Sequence, residues 1–135
     1  MKKEEKDLLL KDLCARLPYG TMVYAQNAVD WYDSEICTQV LSDVINEDYI
    51  VKPYLYPMDS LPEEKVHEFY CRFVDSDIPF DDFVADYWNT NSLHKVLTVI
   101  DDVESIMDWY NENHVDCRRL IYRDLAIDAT GLNIY

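Results

Sequence analysis

Apolar residues recur along the first stretch of the chain at Leu10, Leu13, Cys14 and Leu17, with Lys and Asp on the opposite side. This i, i+3, i+4, i+7 spacing is one face of a helix, and it predicts a helix over residues 4–17. Pro18-Tyr19-Gly20 stops it. Thr21–Gln26 mixes β-branched and aromatic residues and reads as a strand. Residues 27–34 read as a loop or hairpin connection. Ile36–Ile45 fits two templates: Ile36, Thr38 and Val40 alternate as in a strand, while Val40, Leu41, Val44 and Ile45 suit a helix. The strand is preferred, because Asn46-Glu47-Asp48 then turns the chain into a third strand at Tyr49–Lys52, which Pro53 and Pro57 end.

The second half reads as mostly helical. Ser60 and Glu63 have capping-box spacing, Pro62 sits in the first turn, and Val66, Phe69, Tyr70, Phe73 and Val74 form one apolar stripe. An acidic loop follows over residues 75–82, then a short helix at Phe83–Trp88 and a strand at His94–Ile100. Asp101 or Asp102 caps a helix with Val103, Ile106, Met107 and Tyr110 on one face. One core containing Val66, Phe69, Phe73, Val103, Ile106 and Met107 is expected. Residues 120–127 are apolar but irregular. The pattern implies an α+β fold: a small, mostly antiparallel sheet packed with three or more helices.

The 135 residues suit one domain, 1–135, able to bury a core without disulfide or metal staples. Charge is the unusual bulk property. There are 27 acidic side chains against 12 Lys and Arg, a formal charge of −15. Such a field repels nucleic acid and anionic membranes, because phosphate binding needs Lys and Arg to displace counterions. A protein with a basic surface is the expected partner; the acids also keep a surface soluble without any partner. The run Leu8–Leu10 is too short for a signal peptide or a membrane span. The expected location is therefore cytoplasmic, with Cys14, Cys37, Cys71 and Cys117 reduced.

Three segments carry a resemblance: KDLCARLPYG at residues 11–20, KPYLYPMDSLPEEK at 52–65, and DWYNENHVDCRRLIYRDLAIDATGLNIY at 108–135. In order and spacing the chain resembles a family of small uncharacterised proteins from gut Bacteroidetes genomes and their phages or mobile elements. The resemblance implies that genomic context and no particular activity. After His114 and Asp116 the family carries an aromatic residue, then Arg-Gly-Leu-Ile. Here Cys117 stands for the aromatic and Arg119 for the glycine. If that glycine serves a special backbone conformation, Arg119 must strain or reshape the turn.

Four constellations bear on chemistry. His67 with Cys71, four apart on one helix, and His114 with Cys117 are the residue types of a tetrahedral zinc site. Against this, the cysteines read as small buried apolar residues and the family's aromatic at 117 cannot ligate, so no metal or other cofactor is expected. Acids crowd at Asp75, Asp77, Asp81, Asp82 and Asp86, and again at Asp101, Asp102, Glu104 and Asp108. They are candidates for a binding surface. Paired carboxylates could also serve a divalent cation or acid–base chemistry, but the EF-hand pattern is not met. His114 and Asp116 with a cysteine or Ser92 could be drawn as a triad, yet no spacing places a nucleophile beside His114. Tyr19, Tyr24, Trp31, Tyr32, Tyr54, Tyr56, Tyr87 and Trp88 fall at loops and strand ends, where amphipathic rings anchor interfaces or fill a core. The reading that follows is a non-enzymatic interaction protein acting through an acidic, aromatic-bearing face, one version being nucleic-acid mimicry. The alternative is a small hydrolase or metal-dependent enzyme using the acidic clusters or His114.

Overall fold

A computed structural model describes residues 1–75, 77–100 and 102–135. Asp101, one of the candidate acids, lies outside them, as does Ser76. The chain forms two compact units, one made of residues 1–55 and 120–135, the other of residues 56–119. Among the described residues an α+β architecture with six α-helices and a four-stranded mixed sheet is observed.

The first unit contains α1 (Lys3–Arg16), β1 (Met22–Gln26), β2 (Trp31–Glu35), α2 (Thr38–Ile45), β3 (Ile50–Leu55) and β4 (Ile127–Asp128). The strand order is β2-β1-β3-β4; β1 is antiparallel to both neighbours, and β4 runs parallel to β3. Alternation decides which side chains go inward. Val23, Ala25, Val51 and Leu55 are buried with Leu9 and Leu13 of α1 and Val40 and Val44 of α2. The intervening positions, Tyr24, Gln26, Trp31, Asp33, Ile50 and Lys52, therefore share the opposite face.

Two expectations fail here for identifiable reasons. α1 does form, but its buried face is Leu9, Asp12, Leu13 and Arg16; Cys14 and Leu17 are exposed. The helical template is right and its origin is one residue earlier. Two charged residues can occupy a core face because Arg16 Nε donates to Asp12 Oδ2 at 2.9 Å, one turn away, with both side chains fully buried. Residues 36–45 are not a strand. Ile36 still belongs to the sheet, its N–H donating to the Thr21 carbonyl, and Cys37 is extended before α2 begins at Thr38. The apparent alternation spanned an element boundary.

β2 and β3 also exceed their expected limits. β2 occupies what read as a connection: WYDSE lacks β-branched residues, and pairing with β1 overrides that weak propensity. β3 continues through Pro53 to Leu55. Its ladder with β1 ends at Pro53, and its ladder with β4 starts at Tyr54. The Leu55 carbonyl accepts from Ala129 N–H on the β4 side, so alternate residue Pro53 faces that side too. Its missing N–H falls where no neighbouring strand needs it. Where β1 and β3 separate, Tyr135 fills in: Met22 N–H donates to Tyr135 Oη (2.9 Å), which donates to the Tyr54 carbonyl (2.7 Å).

The second unit contains α3 (Glu63–Phe73), α4 (Phe80–Asp86), α5 (Leu93–Leu97) and α6 (Val103–Glu112). Phe69 is fully buried at its centre, with ring centroids of Phe73 and Trp88 at 4.9 Å and of Trp109 at 5.0 Å. Trp88 Nε1–H donates to the Met58 carbonyl at 2.6 Å, which satisfies its polar atom inside the cluster. Val66, Phe69 and Ile106 are buried as expected, with Phe73 and Met107 packed at the margin. Val103 is 48% exposed and does not join them, because it opens α6. Residues 94–100 are not a strand. Ser92 caps α5 by accepting from Lys95 N–H, and Val96 and Ile100, four apart, are buried. The capping box does not form either: Ser60 Oγ donates to the Pro57 carbonyl, in a 3-10 turn before α3 begins at Glu63.

A chain with two glycines must put other residues in left-handed backbone. Glu47, Asn91, His114, Arg119, Asp124 and Asn133 all have positive φ. Arg119 is among them, at φ +58°.

Two stability measurements follow. Removing either Asp12 or Arg16 alone breaks this buried ion pair and should cost about 3–5 kcal/mol, while an apolar pair such as Asp12→Leu with Arg16→Met should recover most of it. Urea titrations of the four proteins check this; single losses that simply add would contradict it. In the same assay Arg119→Gly should be more stable than Arg119→Ala by about 1 kcal/mol, the left-handed penalty of a Cβ.

Candidate functional site

The outward face of the first unit's sheet gathers the features that the sequence placed in separate loops and strands. The ladder geometry fixes it. Ile36 N–H donates to the Thr21 carbonyl and Asn27 N–H to the Asp30 carbonyl, so the 21/36 and 27/30 pairs are hydrogen-bonded. The pairs between them alternate, leaving 22/35, 24/33 and 26/31 as non-hydrogen-bonded pairs whose side chains approach closely. Across this face run the rows Trp31–Gln26–Ile50 and Asp33–Tyr24–Lys52. Trp31 is 60% and Ile50 66% exposed. The Tyr24 and Trp31 rings stack at 6.0 Å between centroids, and Tyr24 Oη donates to Gln26 Oε1.

The hairpin that carries this surface is held by its own turn. Asn27 Oδ1 accepts from Val29 and Asp30 N–H at 2.9 and 2.7 Å, which leaves Val29 94% exposed at the tip. Asp33 and Glu35 add two exposed carboxylates to the same face. Tyr54 anchors the centre. Its buried hydroxyl donates to Asp33 Oδ1 at 2.9 Å, and burial, then this hydrogen bond and the Asp33 charge, push its pKa up to about 12. On the covered side, Tyr32 Oη donates to buried Asp43 Oδ2 at 2.6 Å, which Gln39 also supports; burial and this bond likewise raise the Tyr32 pKa.

The aromatics marked in the sequence divide. Tyr24 and Trp31 meet on the open face, Tyr54 is buried beneath its rim, and Trp88 is a core residue of the second unit. Ile50, Asp33 and Glu35 were not singled out. The signal that could have found them is register, since pairing alone puts them beside Trp31.

The candidate acids among the second unit's described residues are exposed, and several have a local structural task. Asp75 Oδ1 accepts from Asp77 N–H. Asp81 and Asp82 lie in the first turn of α4, and Glu104 in that of α6, where they complement the helix dipole. Asp102 is the N-cap of α6; hydrogen bonds from the Ser105 side chain first, and then from its backbone N–H, hold the Asp102 carboxyl below the usual range. Asp86 and Asp108 are exposed on their helices. Glu104, Asp108 and Glu112 follow one another at four-residue spacing, a stripe with steps of about 6 Å along α6. Asp75 and Asp102 line a shallow pocket with Arg72, Phe73 and Ser105, where the Arg72 guanidinium lies over the Phe73 ring.

The histidine and cysteine candidates do not assemble. His67 and Cys71 are neighbours on the exposed side of α3, with Sγ 3.5 Å from Nδ1, so Cys71 is not the buried apolar residue expected. Cys117 is buried. Among the described residues no group of three or more His, Cys, Asp or Glu is placed to hold a metal ion. His114 ends α6 through its backbone. At φ +59° it is the left-handed residue of a Schellman turn, with His114 N–H donating to the Asn111 carbonyl and Val115 N–H to that of Tyr110.

Stability should fall as pH rises from about 10 toward 12. Tyr54 keeps its proton longer folded than unfolded, so its contribution is present below the unfolded pKa and lost through the folded one. Tyr54→Phe should flatten that decline, followed by thermal melts at stepped pH; an unchanged slope would show that Tyr54 ionises alike in both states.

No protein-family model, curated protein or solved structure matches the chain.

Proposed function

We propose that the chain is a non-enzymatic interaction protein that binds a protein with a basic surface through its open, aromatic and acidic sheet face. The observation that carries the reading is exposed Trp31 stacked on half-buried Tyr24, flanked by Ile50, Asp33 and Glu35 on one sheet surface. Large rings with few rotatable bonds lose little entropy on docking, and an apolar centre with a charged margin is the usual anatomy of an interface. The net charge of −15 supplies a long-range field that speeds encounter with a cationic surface. The exposed acids at Asp75–Asp86 and Asp102–Asp108, with the α6 stripe, add to that field. In this reading they steer, while the sheet face holds. Nucleic-acid mimicry is a special case in which the basic surface is a groove built for phosphates. The resemblance to proteins of gut Bacteroidetes phages and mobile elements suggests an accessory role in that setting, in a cytoplasmic protein that contacts neither nucleic acid nor membrane directly. Among the described residues no helix is long and apolar enough to cross a membrane.

The test is affinity purification from a Bacteroidetes host with quantitative mass spectrometry of what co-elutes. Trp31→Ala should lower recovery of the specific partner by about tenfold or more, as for a central aromatic anchor. Asp77→Asn with Asp81→Asn should mainly slow association and flatten its salt dependence. A partner retained by Trp31→Ala and indifferent to salt would contradict the reading.

A further inference from the structure

The sheet leaves one long edge open, and its backbone and charge specify what can pair there. Among the described residues β2 has β1 on one side and no strand on the other. Because Tyr32 and Ser34 direct their N–H and C=O groups to β1, those of Trp31, Asp33 and Glu35 point outward. Two of these groups are covered by nearby side chains. Trp31 N–H donates to Asp30 Oδ1 at 2.8 Å, and Ser34 Oγ donates to the Glu35 carbonyl at 2.7 Å. The Asp33 N–H and C=O, the Trp31 C=O and the Glu35 N–H remain directed at the edge. The opposite edge is a poorer template, since β4 has two residues and Pro53 lacks an N–H.

Resting on the interaction reading above, we propose that this edge accepts an extended segment of the partner protein as an added strand, with Lys or Arg at alternating positions. Charge selects the occupant. An antiparallel strand centred on Asp33 places its own side chains directly beside Trp31, Asp33 and Glu35 on the open face. Basic residues opposite Asp33 and Glu35 gain two opposite-charge pairs, and the third position packs on the Tyr24–Trp31 stack, where Arg gains a cation–π contact. A symmetric second copy meets the reverse. Its Asp33 would lie against Asp33 and its Glu35 beside Trp31, so like charges oppose self-pairing. The same acids that keep the edge from pairing indiscriminately admit a cationic strand. Main-chain hydrogen bonds then supply affinity, and alternate side chains supply specificity.

The experiment selects random displayed peptides of about nine residues, ordinary strand length, on the immobilised full chain. Enriched peptides should carry Lys or Arg at every second position. Methylating their backbone nitrogens one at a time should weaken binding about tenfold at alternate amides and little at those between, because only alternate amides face β2. Amide chemical-shift changes on the chain should centre on Trp31–Glu35. Asp33→Lys and, separately, Glu35→Lys should each weaken the peptide about tenfold; Glu35→Lys leaves the Tyr54–Asp33 hydrogen bond intact should the first variant lose its fold. No enrichment, or N-methylation without alternation, overturns the added strand. Basic peptides that ignore N-methylation yet are lost in Glu35→Lys overturn it while leaving the acidic-face reading standing. Peptides that bind the chain with no response to Asp33, Glu35 or Trp31 overturn both.

Discussion

One-sided burial of a small sheet organises the first unit. Its strands alternate, and only the face carrying Val23, Ala25, Val51 and Leu55 is covered, by α1 and α2. On the other face Lys52 pairs with Asp124 and Tyr54 with Asp33, both at 2.9 Å, while Trp31 and Ile50 stay exposed. A covered face this small has little apolar surface to spare, yet it holds a buried Asp12–Arg16 pair. Such a pair adds little stability over an apolar pair of the same shape, but losing one partner of it is costly. The surface that can recognise something and the helix that positions it thus depend on the same alternation.

The general architecture was legible from periodicity, while the decisive details were set by pairing. Helices α1, α3 and α6 follow directly from apolar spacing. α2 and α5 were misread as strands because short apolar runs fit both periods, and a five- to eight-residue helix leaves too few turns to separate them. α1 misled in a finer way: a polar pair on the buried face is invisible to any count of apolar residues. Arg119 is a further case. Nothing in the residue types around it marks the left-handed backbone, φ +58°, that it adopts.

The acidic clusters were the most visible sequence signal and make the least distinctive local geometry. Asp102 caps a helix, and Asp81, Asp82 and Glu104 sit in first turns. Their common effect is a field. Asp33 and Glu35, inconspicuous in the sequence, gain meaning from their place beside the stacked rings on an open strand. Charge beside the rings acts at contact on selectivity, and the net charge of the whole chain acts at long range on encounter.

The account stands on the open face of β2 being the contact surface. Amide hydrogen–deuterium exchange of the full chain, alone and saturated with its co-purified partner, tests this most directly. It predicts that the Asp33 and Glu35 amides, which face outward in the free chain, exchange markedly more slowly in the complex, while those of α6 are unchanged. Protection confined to α3, α4 or α6, with Trp31–Glu35 exchanging as in the free chain, would contradict it.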